Sequence, residues 1–136
     1  MGKNMAMVQS SINEKEIQVC NKVKNLLIDL DLGFSSTERP DILVVTEPET
    51  NTDVIIDAEE TVICLRMIVC DEKKNIEFYR KLLQANAFIS HGHFQIENGK
   101  VILADNLEAE NLDANELEAS IASLVTAVAQ NAEWLE

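Results

Sequence analysis

"TVICLRMIVC", Thr61 to Cys70, is a run of ten residues in which Arg66 alone carries a charge. Its β-branched residues suit a pleated strand rather than a helix. Side chains on a strand alternate between faces, so Ile63, Leu65, Met67 and Val69 make one wholly apolar face. Val62, Cys64, Arg66, Ile68 and Cys70 make the other, apolar except for the arginine. A strand with one face in water shows apolar and polar residues in alternation, and this one does not. Thr61–Cys70 is therefore expected inside a sheet with cover on both sides. The face bearing Val62, Cys64, Arg66, Ile68 and Cys70 is the candidate surface for a second subunit or a partner.

Upstream, "DILVVTE" from Asp41 and "DVIID" from Asp53 are two further β-branched runs, separated by the turn stretches "EPETNT" and "AEE". With Thr61–Cys70 they predict a three-stranded antiparallel meander. Before it, Ser11 and Glu14 form a capping box that opens a helix. Ile12, Ile17, Cys20, Val23, Leu27 and Leu30 fall on one stripe of that helix, with Val19 and Leu26 beside it. Gly33 is expected to stop it, and Pro40 to break the chain before the strands.

Downstream, "DEKKNIEFYRKLLQANA" predicts a second helix, capped by Asp71, with Ile76, Tyr79, Leu82 and Leu83 facing the core. "HFQIE" and "KVILA" then flank Asn98-Gly99, the dipeptide preferred in a type I′ turn because both central positions need positive φ. A hairpin follows from that. Asp113 and Glu116 repeat the capping signature, with Leu112 as a hydrophobic staple against Leu117. Leu117, Ile121, Leu124, Val128 and Leu135 continue one stripe of a third helix.

The order is α-βββ-α-ββ-α, an α+β fold with an antiparallel sheet and helices packed on it. At 136 residues the chain is one domain. Residues 11–136 are expected to form it, and residues 1–10 to be a disordered N-terminal segment. Three helices suffice for one side of a five-stranded sheet and not for both. The candidate face thus predicts a homodimer, the commonest closed assembly.

Charge narrows the partners. The chain has a net charge of −13, and beyond Lys100 it carries eight acids and no base. That field repels phosphate backbones and anionic membranes, and it favours a basic protein partner. No stretch approaches the roughly 18 apolar residues of a membrane span, so no membrane insertion is expected. Cys20, Cys64 and Cys70 are odd in number and lack CxxC spacing, which fits reduced thiols and a cytoplasmic location.

His91 and His93 are the only histidines. On one strand they would project together with Gln95 and offer two imidazoles, whereas a catalytic zinc needs three protein ligands and a structural one four. Nothing in the spacing brings a cysteine to them. They read as the polar side of a hairpin arm, with no metal or cofactor. GxSxG, HExxH, P-loop and glycine-rich phosphate loops are absent from the sequence, so no catalytic residue is assigned. The remaining alternatives are a metal- or thiol-dependent enzyme using His91, His93 and a cysteine, and a structural subunit of a larger assembly.

"NIEFYRKLLQANAFISHGHFQIENGKVILADNL", followed by an acid-capped helix, resembles the second half of CesT-type type III secretion chaperones and the YbjN-like proteins. The run "ICLRMIVC", the helix "EFYRKLLQANAFIS" and the closing "LEASIASLVTAVAQNAEWL" are similar to the YjfI-type family of bacterial proteins. The resemblance covers most of the chain from about Asp41. It implies a chaperone-like fold, a dimer and a non-enzymatic, protein-binding role, with a PspA-like protein as one possible partner.

Overall fold

The computed structural model describes residues 13–48 and 50–136. The expected disorder of residues 1–10 and the cap at Ser11 lie outside the described residues. Three helices, α1 (Glu14–Asp29), α2 (Ile76–Asn86) and α3 (Ala114–Leu135), accompany six strands. These are β1 (Phe34–Ser36), β2 (Ile42–Glu47), β3 (Thr52–Ala58), β4 (Val62–Asp71), β5 (His93–Glu97) and β6 (Lys100–Glu108). They form one sheet in the order β1-β2-β3-β4-β6-β5, antiparallel at every pairing. The α+β class and the succession of elements agree with the sequence reading. The addition is β1, three residues pairing Phe34 with Val45 at the sheet edge.

One face of the sheet holds the core. Leu43, Val45, Val54, Ile56, Ile63, Leu65, Met67 and Leu103 are buried there. Cys20, Val23 and Leu27 of α1 and Leu117, Ile121 and Leu124 of α3 belong to the same apolar cluster. The periodicity that predicted α1 and α3 thus corresponds to real burial, except at Ile17, which is exposed; that burial removes apolar surface from water at roughly 25 cal/mol per Å². Inside this layer, Ser120 Oγ donates to Asp105 Oδ2 at 2.7 Å. Asp41, only 2% exposed, is held by a two-pronged contact from Arg39, at 3.0 Å from Nε and 2.7 Å from Nη2.

Several element ends differ from expectation, each for a local reason. Asn13 caps α1, accepting the Glu16 N–H at 2.9 Å. The helix stops at Asp31, whose φ is 59°, with the Asp31 and Leu32 N–H groups returning to Ile28 and Leu27. This is the 6→1 and 5→2 pattern of a Schellman ending, achieved two residues before Gly33. Asp71 does not cap α2; it closes β4 opposite Lys100, and Asn75 accepts the Phe78 N–H at 2.8 Å instead.

That displaced cap goes with a rotated helix. Phe78 and Leu82 face the core, while Ile76 and Leu83 are 75% and 73% exposed. Phe78 and Phe94 each meet Trp134 edge to face, which ties α2 and β5 to the end of α3. At the hairpin, Asn98 and Gly99 both have positive φ, as a type I′ turn requires. At α3, Asp113 accepts the Glu116 N–H at 2.8 Å and Leu112 is buried.

Candidate functional site

The second face of the sheet lies opposite the helix layer, and the ladder register decides what it carries. Val44, Ile55, Arg66, Ala104 and His93 are successive partners across β2, β3, β4, β6 and β5. Ile42, Asp57, Cys64 and Asn106 make the next rung. Ile68, Ile102 and Gln95 make a rung on the other side of Arg66. Partners across a ladder share a face, so these rungs form one open surface.

Its centre is apolar. Ile68 is 64% exposed, and with Val44 and Ile55 it borders a depression of about 490 Å³ that Asp53 also lines. Charge surrounds that centre. Arg66 spans β6 diagonally to reach Glu97 Oε2 at 3.0 Å. Thr46 donates to Asp53 at 2.7 Å, and His93 Nε2 meets Gln95 Oε1 at 2.7 Å. Burial, with repulsion from Asp41 and Glu59, raises the Asp57 carboxyl above its ordinary range.

Of the five residues the sequence placed on this face, Val62, Cys64, Arg66 and Ile68 share it and Cys70 does not. The ladder slips between Ile68 and Cys70, leaving Val69 as a bulge. Past the slip, Cys70 pairs with Val101, which is fully buried, and packs against the core. An extra residue in one strand flips every later side chain to the other face. Ile42, Val44 and Ile55, with Ile102 and Ala104 buried between their neighbours, lie on the same side of the sheet, and the sequence reading missed them. Their alternation was visible within each strand, but the pairing that aligns them was not.

The residues considered for chemistry are dispersed. His91 precedes β5, and Gly92, with a φ of 102°, turns the chain between the two histidines. The His91 N–H donates to Ser123 Oγ of α3 at 3.0 Å and that hydroxyl donates to the His91 carbonyl at 2.9 Å, so His91 leaves the strand that carries His93. Among the described residues no three His, Cys, Asp or Glu side chains gather where they could hold a metal. Burial raises the ordinary range of all three thiols. For Cys64, burial and a 3.2 Å hydrogen bond to the Glu59 carboxylate push it up to about 11. A thiol so placed is protonated at neutral pH, the wrong state for a nucleophile or a metal ligand.

Two grooves on the helix side lie along α3. One, of about 710 Å³, runs along α3 between Ile121, Val125 and Ala129 and the loop residues Leu32 and Thr50. The other, of about 440 Å³, lies across α3 beside Phe88, Ile89 and His91. Among the described residues no helix is long and apolar enough to cross a membrane.

Comparison with known proteins agrees with this geometry. The model of the family CesT_Tir_1 matches residues 16–136. YbjN from E. coli superposes with a TM-score of 0.65 at 11% identity, over 84% of this chain and 91% of that one. A chain of the heterodimeric ExoU–SpcU complex, from the type III secretion system of Pseudomonas aeruginosa, gives 0.64 at 13% identity, over 78% and 91%. The structure of the Yersinia pestis type III secretion chaperone SycH, in complex with a stable fragment of YscM2, gives 0.58 at 15% identity, over 87% and 99%. At these identities the likeness is one of fold. No match is found among curated proteins.

Proposed function

The chain belongs to the CesT_Tir_1 family, and from that premise we propose that it is a non-enzymatic, chaperone- or adaptor-like protein-binding module that works as a cytoplasmic homodimer. The observation that carries this reading is the open sheet face. An exposed Ile68, set among Val44 and Ile55 and rimmed by polar groups, is the arrangement of an association surface rather than of a reaction centre. Val62, Cys64, Arg66 and Ile68 contribute to it from β4. A second copy covers this face, and the helix side stays free for another protein. The relatives support a protein partner, since SycH is described in complex with a fragment of YscM2 and ExoU–SpcU as a heterodimer. The net charge of −13 favours a basic one; a PspA-like protein is a candidate to test.

Reduced, protonated thiols and scattered histidines favour this reading over a thiol- or metal-dependent enzyme. The test is recovery of the tag-free protein from an extract of its source cells, with mass spectrometry of what accompanies it. The proposal expects one protein in near-stoichiometric amount. A chain that emerges alone, and that turns over when supplied with metal, would overturn it.

A further inference from the structure

Asn98-Gly99 is the one Asn-Gly pair in the sequence. At the tip of the β5–β6 hairpin the two residues take φ of 50° and 77°, and both are exposed. Among the described residues no hydrogen bond holds the Asn98 side-chain amide, and the Gly99 N–H donates none. A Cβ built on Gly99 would meet nothing within 4 Å, so the space beside its nitrogen is open. The turn thus presents an amide carbon, Asn98 Cγ, and an unshielded backbone nitrogen one residue on.

Those two atoms can join. When Gly99 N attacks Asn98 Cγ, a Cγ–N bond forms and the Cγ–Nδ2 bond breaks. Nδ2 leaves as ammonia, taking the proton that Gly99 N gives up, and a succinimide ring remains. Water then opens the ring. Addition at Cγ yields an ordinary aspartyl residue, and addition at the Asn98 backbone carbonyl yields an isoaspartyl residue, with the chain running through Cγ. One water enters and one ammonia departs, with no oxidant or reductant. The attack is intramolecular, so proximity replaces a second molecule. It requires the Asn98–Gly99 peptide to swing about the Asn98 Cα–C bond. The tie nearest that motion is the Glu72 N–H on the Gly99 carbonyl, at 2.9 Å. Exposed turns with few ties open at small cost in free energy.

A second asparagine isolates the part played by glycine. Asn51, in the β2–β3 turn, is also exposed and has a φ of 55°, but Thr52 follows it. A β-branched side chain crowds the nitrogen that would attack, whereas Gly99 brings no Cβ. From this geometry we infer that Asn98-Gly99 is a self-modifying site, which converts to aspartyl and isoaspartyl forms in the folded chain. The isoaspartyl form is a substrate for a carboxyl methyltransferase of the isoaspartyl-repair class.

The fold sets the consequence. A two-residue turn matches β5 to β6 at its present length, and an isoaspartyl residue adds a backbone carbon to it. β5 is an edge strand with β6 as its sole neighbour in the sheet. Conversion therefore loosens the Glu97–Lys100 rung and the tie to Glu72. It also places a new carboxylate near Asp71, which pairs with Lys100, and Glu97, which holds Arg66.

The test is incubation of the full chain at pH 8 and 37 °C, with timed peptide mapping by mass spectrometry. Asn98 should acquire the mass change of deamidation as two chromatographically distinct products. It should do so at least tenfold faster than Asn51, its counterpart without a following glycine. The slower-forming or faster-forming product that accepts a methyl group from S-adenosylmethionine, with an isoaspartyl-specific methyltransferase as reagent, should be present in every aged sample. Aged wild type should unfold at lower urea than fresh protein, while Asn98→Gln, whose ring would be six-membered, should keep its midpoint on ageing. Equal rates at Asn51 and Asn98 would overturn the assignment. So would an Asn98 that persists in the folded chain while the same chain in urea converts, because the turn would then protect it. An aspartyl product alone, with no methyl acceptor, would mean direct hydrolysis and would overturn it as well.

Discussion

Cys70 stands opposite Val101 in the ladder, whereas Ile68, two positions earlier, stands opposite Ile102. Val101 and Ile102 are neighbours and so lie on opposite faces of the sheet. The bulge at Val69 therefore sorts two residues of one apolar run into different roles. Cys70 packs on the core and Ile68 faces outward. Cys70→Glu should lower stability by about 2 kcal/mol, because a carboxylate would replace a half-buried side chain that packs on the apolar core. Ile68→Glu should stay within about 0.5 kcal/mol of the parent under conditions where the chain is monomeric. Urea unfolding of both variants reads this directly, and equal losses would mean that the two side chains share a face after all.

Two glycines with positive φ should respond differently to substitution. At Gly99 a Cβ meets nothing within 4 Å, so Gly99→Val costs only backbone strain, about 1–3 kcal/mol. At Gly92 a Cβ would lie 2.8 Å from the Ala104 carbonyl oxygen and 2.7 Å from Leu124 Cδ2. Gly92→Ala, although the smaller change, should therefore cost more than a residue with the same φ in open space. Thermal unfolding that ranks Gly92→Ala as the milder variant would show that the chain passes His91 by a different path.

The Cys64 thiol, pushed up to about 11 from 9.0, should be slow to alkylate. At pH 8 its thiolate population is on the order of a hundredfold below that of an unperturbed thiol, and the rate should fall in proportion. Glu59→Gln removes the carboxylate that accepts from Sγ, and should speed labelling of Cys64 without touching Cys20. Peptide mapping after timed iodoacetamide treatment measures each site separately. Rapid modification of Cys64 in the wild type would restore it as a candidate nucleophile.

Asp57 gives a dependence of stability on pH. Burial first, then Asp41 and Glu59, raise its folded value above 3.8, while Arg39 and Arg66 oppose the rise. A group raised on folding contributes stability that is fully present below its unfolded value, and that stability is lost as pH rises through the folded one. At neutral pH the ionised Asp57 is therefore unfavourable. Asp57→Asn should raise the urea midpoint at pH 7, and its advantage should vanish as pH falls to about 3.5. An advantage that grows on acidification would reverse the assignment.

Much of the fold was legible because local signals and burial coincide. The Asn98-Gly99 hairpin and the Asp113 cap rest on backbone chemistry that one or two residues dictate. The rotation of α2 was not legible in the same way. Ile76, Tyr79, Leu82 and Leu83 make a plausible stripe, but Phe78 has Phe94 and Trp134 to pack near, both distant in sequence. A bulge such as Val69 leaves no mark on composition, so the phase of a strand could be read only up to Ile68. The open face was recognisable through Val62, Cys64, Arg66 and Ile68. Its partners on β2, β3 and β6 required the register.

The account turns on the claim that the open face around Ile68 is where a second copy sits. Sedimentation equilibrium of the tag-free protein at micromolar concentration, beside Ile68→Glu, tests this most directly. The wild type should give about twice the 15.2 kDa mass of one chain, and Ile68→Glu should give a single mass with the same circular dichroism spectrum. A wild type that stays at 15.2 kDa at every concentration, or a variant that keeps the doubled mass, would contradict it.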